Sequence, residues 1–237
     1  MLIILAWHQI INRPYTLGVD HFYKQIDFLK KNLPIIKKIE DQKESLSVLL
    51  TFDDATIDFY VNVFPFLEKE KINATLAVPT NWIPRSLSLS VEERLSLLQS
   101  KNPFAQRENF CSLDELKMMQ KSKHIEFAAH GHHHLNLKFH PDEEEIIKPK
   151  TFFEKELSQT IDTFIFPYGS IQPNLQKLVQ KHYRYPIRIG SASNYFSSPS
   201  YYYRVVVDNI TDLSRIFTKK SLLKFLIKEG INRIRKI

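Results

Sequence analysis

Short apolar runs alternate with segments of helical periodicity from one end of this sequence to the other, the pattern of strand and helix units wound around a parallel sheet or barrel. The strands read as Leu2 to Ala6, Leu46 to Phe52, Ile72 to Val78, Ile125 to Ala129, Thr160 to Phe166, Tyr185 to Ile189 and Tyr202 to Val207, with a short Pro34 to Ile39 piece before the second. Helical spacing marks Val19 to Lys31, where Phe22, Ile26 and Leu29 share a face, and Ile57 to Lys69, with Val61, Phe64 and Leu67. It returns in Pro141 to about Leu157, Ile171 to Tyr183, and Lys219 to Lys228 or beyond. Pro149 should break or kink the third of these. Ser112-Leu-Asp-Glu115 is a capping box, in which hydroxyl and carboxylate each satisfy a free backbone donor at the start of a helix. Residues 80–111 have weak periodicity and read as an inserted surface segment. A length of 237 residues suits one large domain, 1–237, and the expected α/β fold is a distorted, seven-stranded (β/α) barrel.

Composition narrows the chemistry. With one cysteine, Cys111, neither a disulfide scaffold nor a cysteine-rich metal site can form, so any metal is held by histidine and carboxylate. The start, Met1-Leu-Ile-Ile-Leu-Ala, lacks a basic leader and turns polar at His8, so it reads as a buried strand rather than a signal sequence. No run approaches the roughly 20 apolar residues that span a bilayer. The expectation is a cytoplasmic protein, with peripheral contact at the inner membrane face left open. A net charge of +7 suits an anionic partner, but it is spread over many lysine-rich stretches without glycine-rich or finger motifs, so nucleic acid is not expected.

Four polar clusters follow directly on four of the strands: His8, Asp53-Asp54, His130-Gly-His-His-His134 and Pro167-Tyr168-Gly169. In a parallel barrel all strand C-termini lie at one end, so these clusters converge on one mouth. Adjacent carboxylates after an apolar strand repel each other unless a cation or proton relieves them. On an extended chain residues 53 and 54 point to opposite sides, so one can hold a metal while the other addresses a water. The competing reading makes Asp54 the N-cap of the helix near Ile57. His130 and His134 are spaced so that a helical turn or tight loop brings both imidazoles to one ion, and two histidines with one carboxylate leave coordination positions open for water and substrate. A solvent-exposed turn with incidental metal affinity is the alternative.

Leu-Leu-Thr51-Phe-Asp-Asp54 resembles the first motif of the polysaccharide deacetylase (NodB-homology, carbohydrate esterase family four) superfamily, His130-x-x-x-His134 its second and Phe166-Pro-Tyr-Gly169 its third, in the same order. Trp7-His8, Glu126 and Arg204-Val-Val-Val are weaker matches. The resemblance implies Asp53 as catalytic base, Asp54, His130 and His134 as metal ligands, Pro167-Tyr168 as a pocket wall, and the Tyr168 N–H as an oxyanion donor. It also implies one divalent ion, zinc first, with cobalt, manganese or nickel as alternatives. The implied activity is hydrolysis of an N-acetyl or N-formyl group on an amino sugar, in a glycan or a lipid-linked precursor. Rival readings are an amidohydrolase on a non-carbohydrate amide and a degenerate glycan-binding barrel.

Three departures from the family pattern stand out. No histidine follows His182, where many members carry their acid on a late motif; His8, Asp53 itself or metal-bound water can substitute, and His8 can equally be structural. Ala55 replaces a common glycine. Ile165 stands where some members have an arginine that orients the base. Elsewhere Tyr201-Tyr-Tyr203, with Tyr195 and Phe196, suits either strand packing or stacking on sugar rings. The segment Leu222 to Ile237, with Leu226, Ile227, Ile231 and Ile234 among Lys224, Lys228, Arg233, Arg235 and Lys236, suits barrel packing or a membrane-surface helix.

Overall fold

The computed structural model describes residues 1–12, 18–99, 102–195 and 200–234; Phe196, Arg235, Lys236 and Ile237 lie outside them. Seven parallel strands close into one barrel in chain order: β1 (Leu2–Trp7), β2 (Ser47–Phe52), β3 (Ala74–Val78), β4 (Ile125–Ala129), β5 (Thr163–Ile165), β6 (Tyr185–Ile189) and β7 (Tyr202–Val206). Ring closure comes from β7 pairing with β1 through Ile4 to Arg204, Leu5 to Val205 and Ala6 to Val206. The helices are α1 (Gly18–Asn32), α2 (Phe64–Glu70), α3 (Val91–Leu98), α4 (Leu113–Gln120), α5 (Glu144–Leu157), α6 (Pro173–His182) and α7 (Lys219–Ile234).

Side-chain alternation along the strands sorts the core into two compartments. Leu2, Ile4, Leu49, Ala77, Ala128, Ile165 and Ile187 pack on one another inside the barrel. The intervening Ile3, Leu5, Val48, Leu50, Leu76, Phe127 and Phe164 pack outward with residues of the helices such as Phe22, Ile26, Leu67, Ile146 and Val179. Each such side chain contributes roughly 1.5–3 kcal/mol on burial. Tyr201 and Tyr203 are 5% and 2% exposed, so they belong to this packing and offer no face to a sugar ring.

Several expected elements differ. Pro34 to Ile39 contributes a single bridge, Ile35 to Val48. The fifth strand shrinks to three residues and meets β4 only through Ala129 and Phe164, which distorts the barrel there. Pro149 does not break α5; lying in the second turn, it removes one backbone donor and the helix continues past it. The helix predicted from Ile57 begins as a wide π turn, Phe59–Val63, before α2. The box at Ser112 is present, with the Glu115 N–H donating to the Ser112 hydroxyl and the Ser112 N–H to the Glu115 carboxylate.

Residues 80–111 are more than a surface insertion. They contain α3, capped by its own Ser90–Glu93 box, and the fully buried Arg94, which donates to the Glu108 and Phe110 carbonyls and to both Glu115 oxygens. That network binds the segment to α4 and holds it against the C-terminal end of the barrel.

Candidate active site

Extending the inward alternation past the strand ends places His8 after β1, Asp53 after β2, His130 after β4, Pro167 after β5 and Asp208 after β7 on the barrel axis side. Asp53 still donates its N–H to the Trp7 carbonyl (2.9 Å) and His130 to that of Val78 (3.1 Å), so both positions remain part of the ladder. Asp54 is out of step with this alternation. The backbone corrects it by turning left-handed at Asp54 (φ 71) and Ala55 (φ 52), which brings the Asp54 carboxylate into the mouth beside that of Asp53. The expectation of opposite sides on an extended chain therefore fails, and Asp54 is not a helix cap. Each left-handed non-glycine residue costs on the order of 1–3 kcal/mol. The bend is held by Cys111, whose N–H donates to the Ala55 carbonyl (2.8 Å), by the Thr56 to Phe110 bridge, and by Asp58, which accepts from the Thr56 hydroxyl and the Ile10 N–H (2.6 Å each).

The histidine cluster is a tight loop built around Glu145, a fully buried carboxylate on α5. It accepts from the backbone N–H groups of His132 (3.1 Å), His133 (2.6 Å) and Leu135 (3.1 Å), and from His133 Nδ1 (2.9 Å). Gly131 is required here: at φ +73 a Cβ would lie 2.5 Å from Glu145 Oε2. His132 and His133 are thereby turned to other partners, Thr80 and Glu145, while His130 and His134 face Asp54.

The Nε2 atoms of His130 and His134 lie 3.6 and 3.3 Å from Asp54 Oδ1, and one donor atom from each of the three residues lies within 4.8 Å of the others. Around one ion with bonds of about 2.1 Å, neighbouring donors sit about 3.4 Å apart. His130 Nδ1 is 2.7 Å from the Ile165 carbonyl, so its proton belongs there and the Nε2 lone pair faces the mouth. Burial lowers His130 to about 4 and His134 to about 2, keeping both rings neutral. Burial, with the Asp53 charge adding to it, pushes Asp54 up to about 7, and Asp54 Oδ1 is a buried oxygen with no hydrogen-bond donor. Two neutral imidazoles with Nε2 turned to an orphaned carboxylate oxygen fit a divalent cation. Phe104, from the 80–111 segment, stacks on the His134 ring at 4.3 Å, and Tyr168 tilts against it at 5.0 Å.

Asp53 is gripped by Arg204 of β7 through two bonds of 2.6 Å. Burial alone would favour its neutral form, but Arg204, backed by His130 and His8, holds Asp53 well below the ordinary carboxylate range. On its other side Asp53 Oδ2 lies 3.4 Å from His8 Nε2. His8 Nδ1 donates to Asp208 (2.7 Å), and the second Asp208 oxygen accepts the His8 backbone N–H (2.8 Å). Burial opposes a charge on His8, but the Asp208 bond and the Asp53 carboxylate outweigh it and raise His8 to about 9. Pro167 is buried, and Tyr168, left-handed at φ 57, is 60% exposed at the rim. Glu126 does not join the site; it pairs with Lys37 at 2.7 Å near the start of β4. Asp208 and Glu145 went unrecognised in the sequence, although Asp208 obeys the same rule of a polar residue just after an apolar strand.

The sequence pattern that defines polysaccharide deacetylases matches residues 40–186, more than half of the chain. The chain belongs to the polysaccharide deacetylase family. His8, Arg204 and Asp208 lie outside the matched stretch, so this family member completes its mouth from its first and last strands. Several solved structures share the fold, among them the three that follow. IcaB from Ammonifex degensii superposes with a TM-score of 0.71 at 18% identity, over 96% of this chain and 95% of that one. A de-N-acetylase from Aggregatibacter actinomycetemcomitans gives 0.73 at 16%, over 95% and 99%. The Streptococcus pyogenes deacetylase PplD, solved in complex with acetate, gives 0.69 at 18%, over 95% and 97%. No curated protein matches the sequence.

Proposed function

We propose that this family member hydrolyses an N-acetyl, or alternatively an N-formyl, group on an amino sugar in a glycan or a lipid-linked glycan precursor. The observation that carries the reading is the meeting of Asp54, His130 and His134 around the orphaned Asp54 Oδ1, with Asp53 beside them. Asp54, His130 and His134 hold the ion, zinc in the first instance. A divalent ion there supplies Lewis acidity, lowering the pKa of a water in the mouth and drawing negative charge towards the acetyl oxygen.

The chain's own groups divide the proton transfers. Asp53, kept ionised by Arg204, takes a proton from the attacking water as that water's oxygen bonds to the acetyl carbon. The Tyr168 N–H donates to the oxygen that gains charge. His8, charged at neutral pH, gives its Nε2 proton to the sugar nitrogen as the C–N bond breaks, releasing acetate and the amine. The contact from His8 Nε2 to Asp53 Oδ2 then offers a route by which the proton on Asp53 returns to His8. His8 thus fills the place of the absent late histidine, which weighs against the degenerate binding barrel.

The test is acetate release from N-acetylated oligosaccharides by pure protein supplied with zinc, cobalt, manganese or nickel. Asp54→Ala and His130→Ala should abolish it; activity indifferent to both substitutions, or faster turnover of non-carbohydrate amides, would overturn the reading.

A further inference from the structure

Helix α7 has two apolar faces, and only one of them is used. Glu229 and Asn232 point inward: the fully buried Glu229 carboxylate accepts from the Ser193 hydroxyl (2.9 Å), the Tyr195 N–H (2.8 Å) and Arg233, and Asn232 donates to the Gly190 carbonyl (3.2 Å). These bonds fix how the helix is rotated on the barrel. Leu223, Ile227, Ile231 and Ile234 consequently form a ridge along its outermost line, 58%, 56%, 42% and 83% exposed. A spacing of four, four and three residues keeps them on one stripe about one helix-width broad. Isolated exposed apolar residues are ordinary; an unbroken line of four over three turns is not.

The charges beside the ridge are of one sign. Lys220, Lys224 and Lys228 follow it at the same four-residue interval, and Lys219 stands at the helix start, all exposed. The helix's one acid, Glu229, is on the buried side, so the outward face carries no negative charge. A protein partner for an apolar ridge commonly presents mixed polar groups at its rim. An apolar stripe bordered by lysines alone matches a surface that is apolar within and anionic at its edge, as an anionic phospholipid headgroup layer is. Among the described residues no helix is long and apolar enough to cross a membrane, so contact through α7 would be in the plane of the surface.

We infer that α7 docks this protein on an anionic lipid surface, with Leu223, Ile227, Ile231 and Ile234 entering the acyl boundary and Lys220, Lys224 and Lys228 lying among the headgroups. The inference rests on the geometry of α7 and is independent of the reaction assigned to the barrel mouth.

Sedimentation with lipid vesicles tests it, using the full chain and vesicles of phosphatidylcholine alone or with about one third phosphatidylglycerol. The protein should bind the anionic vesicles, weaken with added salt, and bind the neutral ones far less. Ile227→Ser with Ile231→Ser, and separately Lys224→Glu with Lys228→Glu, should each lower the partition coefficient by about tenfold or more, while acetate release from a soluble substrate is unchanged. Absence of binding to anionic vesicles overturns the inference, as does binding indifferent to the lysine substitutions. A lipid-free dimer that Ile227→Ser with Ile231→Ser converts to monomer also overturns it, since the ridge would then belong to a second copy.

Discussion

Arg204 meets Asp53 with both arms of its guanidinium, 2.6 Å to each carboxylate oxygen, and both side chains are 1% exposed. The pair joins β7 to the end of β2 across the barrel interior. Its electrostatic effect is to keep the carboxylate ionised although burial favours the neutral acid.

Arg204→Met should therefore act on both stability and rate. Removing one partner of a buried ion pair leaves the other charge uncompensated, at a cost of about 3–5 kcal/mol, to be read as a lower denaturation midpoint. Asp53 has a folded pKa below its unfolded one, so its pairing stabilises the fold above the ordinary carboxylate pKa near 3.9, and that contribution is lost as pH falls through the depressed folded value. Without Arg204 the loss moves to higher pH, and the acid limb of the rate profile should move up with it. Arg204→Lys, which retains charge but not the two-pronged contact, should fall between.

How much of this was legible follows from the periodicities. Asp53, Asp54, His130, His134 and His8 could be picked out because each stands just past an apolar strand, and a parallel barrel gathers such positions. The partnership of Arg204 with Asp53 was hidden, because it depends on the closure of β7 onto β1, a contact between the two ends of the chain that no local pattern encodes. Ile165, flagged for lacking an arginine, is instead part of the apolar barrel interior, and the guanidinium arrives from another strand. Ala55, flagged for lacking a glycine, takes the left-handed φ of 52 that glycine adopts more cheaply, braced by Cys111 and Phe110 from a segment whose weak periodicity gave no hint of that task.

The His8 and Asp208 pair predicts the alkaline side of the rate profile. His8 is raised to about 9 in the metal-free protein, and a cation held by Asp54 brings it lower, so an acid role requires the rate to fall on the alkaline side, at or below about 9. The same sign holds for stability: a histidine raised above its unfolded pKa of about 6.5 contributes fully below 6.5, and the contribution is lost through about 9. Asp208→Asn removes a principal raising influence and should bring the alkaline limb down towards the ordinary histidine range. His8→Gln should reduce kcat by roughly 10²–10⁴-fold with its alkaline limb gone. An unchanged profile in Asp208→Asn would remove His8 from the mechanism.

Glu145 touches none of the three candidate ligands by side chain, yet it anchors the loop that carries two of them. Glu145→Gln replaces one acceptor oxygen with an NH₂ group facing backbone donors, so at least one buried N–H loses its partner, a cost of about 1–3 kcal/mol. Metal affinity measured by calorimetry should fall about 10- to 100-fold, as for other groups that orient ligands from behind. Gly131→Ala should be worse, since its Cβ would collide with Glu145 Oε2 and the residue would be held at φ +73.

Asp54 supplies a prediction that does not depend on turnover. In metal-stripped protein its carboxyl is pushed up to about 7, so near pH 7 about half of the molecules carry a proton where a cation must bind, and binding must expel it. The two histidines, lowered to about 4 and about 2, are already deprotonated and release nothing. Zinc titrations by calorimetry in buffers of different ionisation enthalpy should therefore report close to one proton released from Asp54 at pH 6, with ionisation of the water whose pKa the ion lowers adding to the count as pH rises through 7. Had the imidazoles kept ordinary values near 6.5, three groups would contribute and release at pH 6 would exceed two protons. A count of two or more at pH 6 would mean that the histidines are not held neutral by burial.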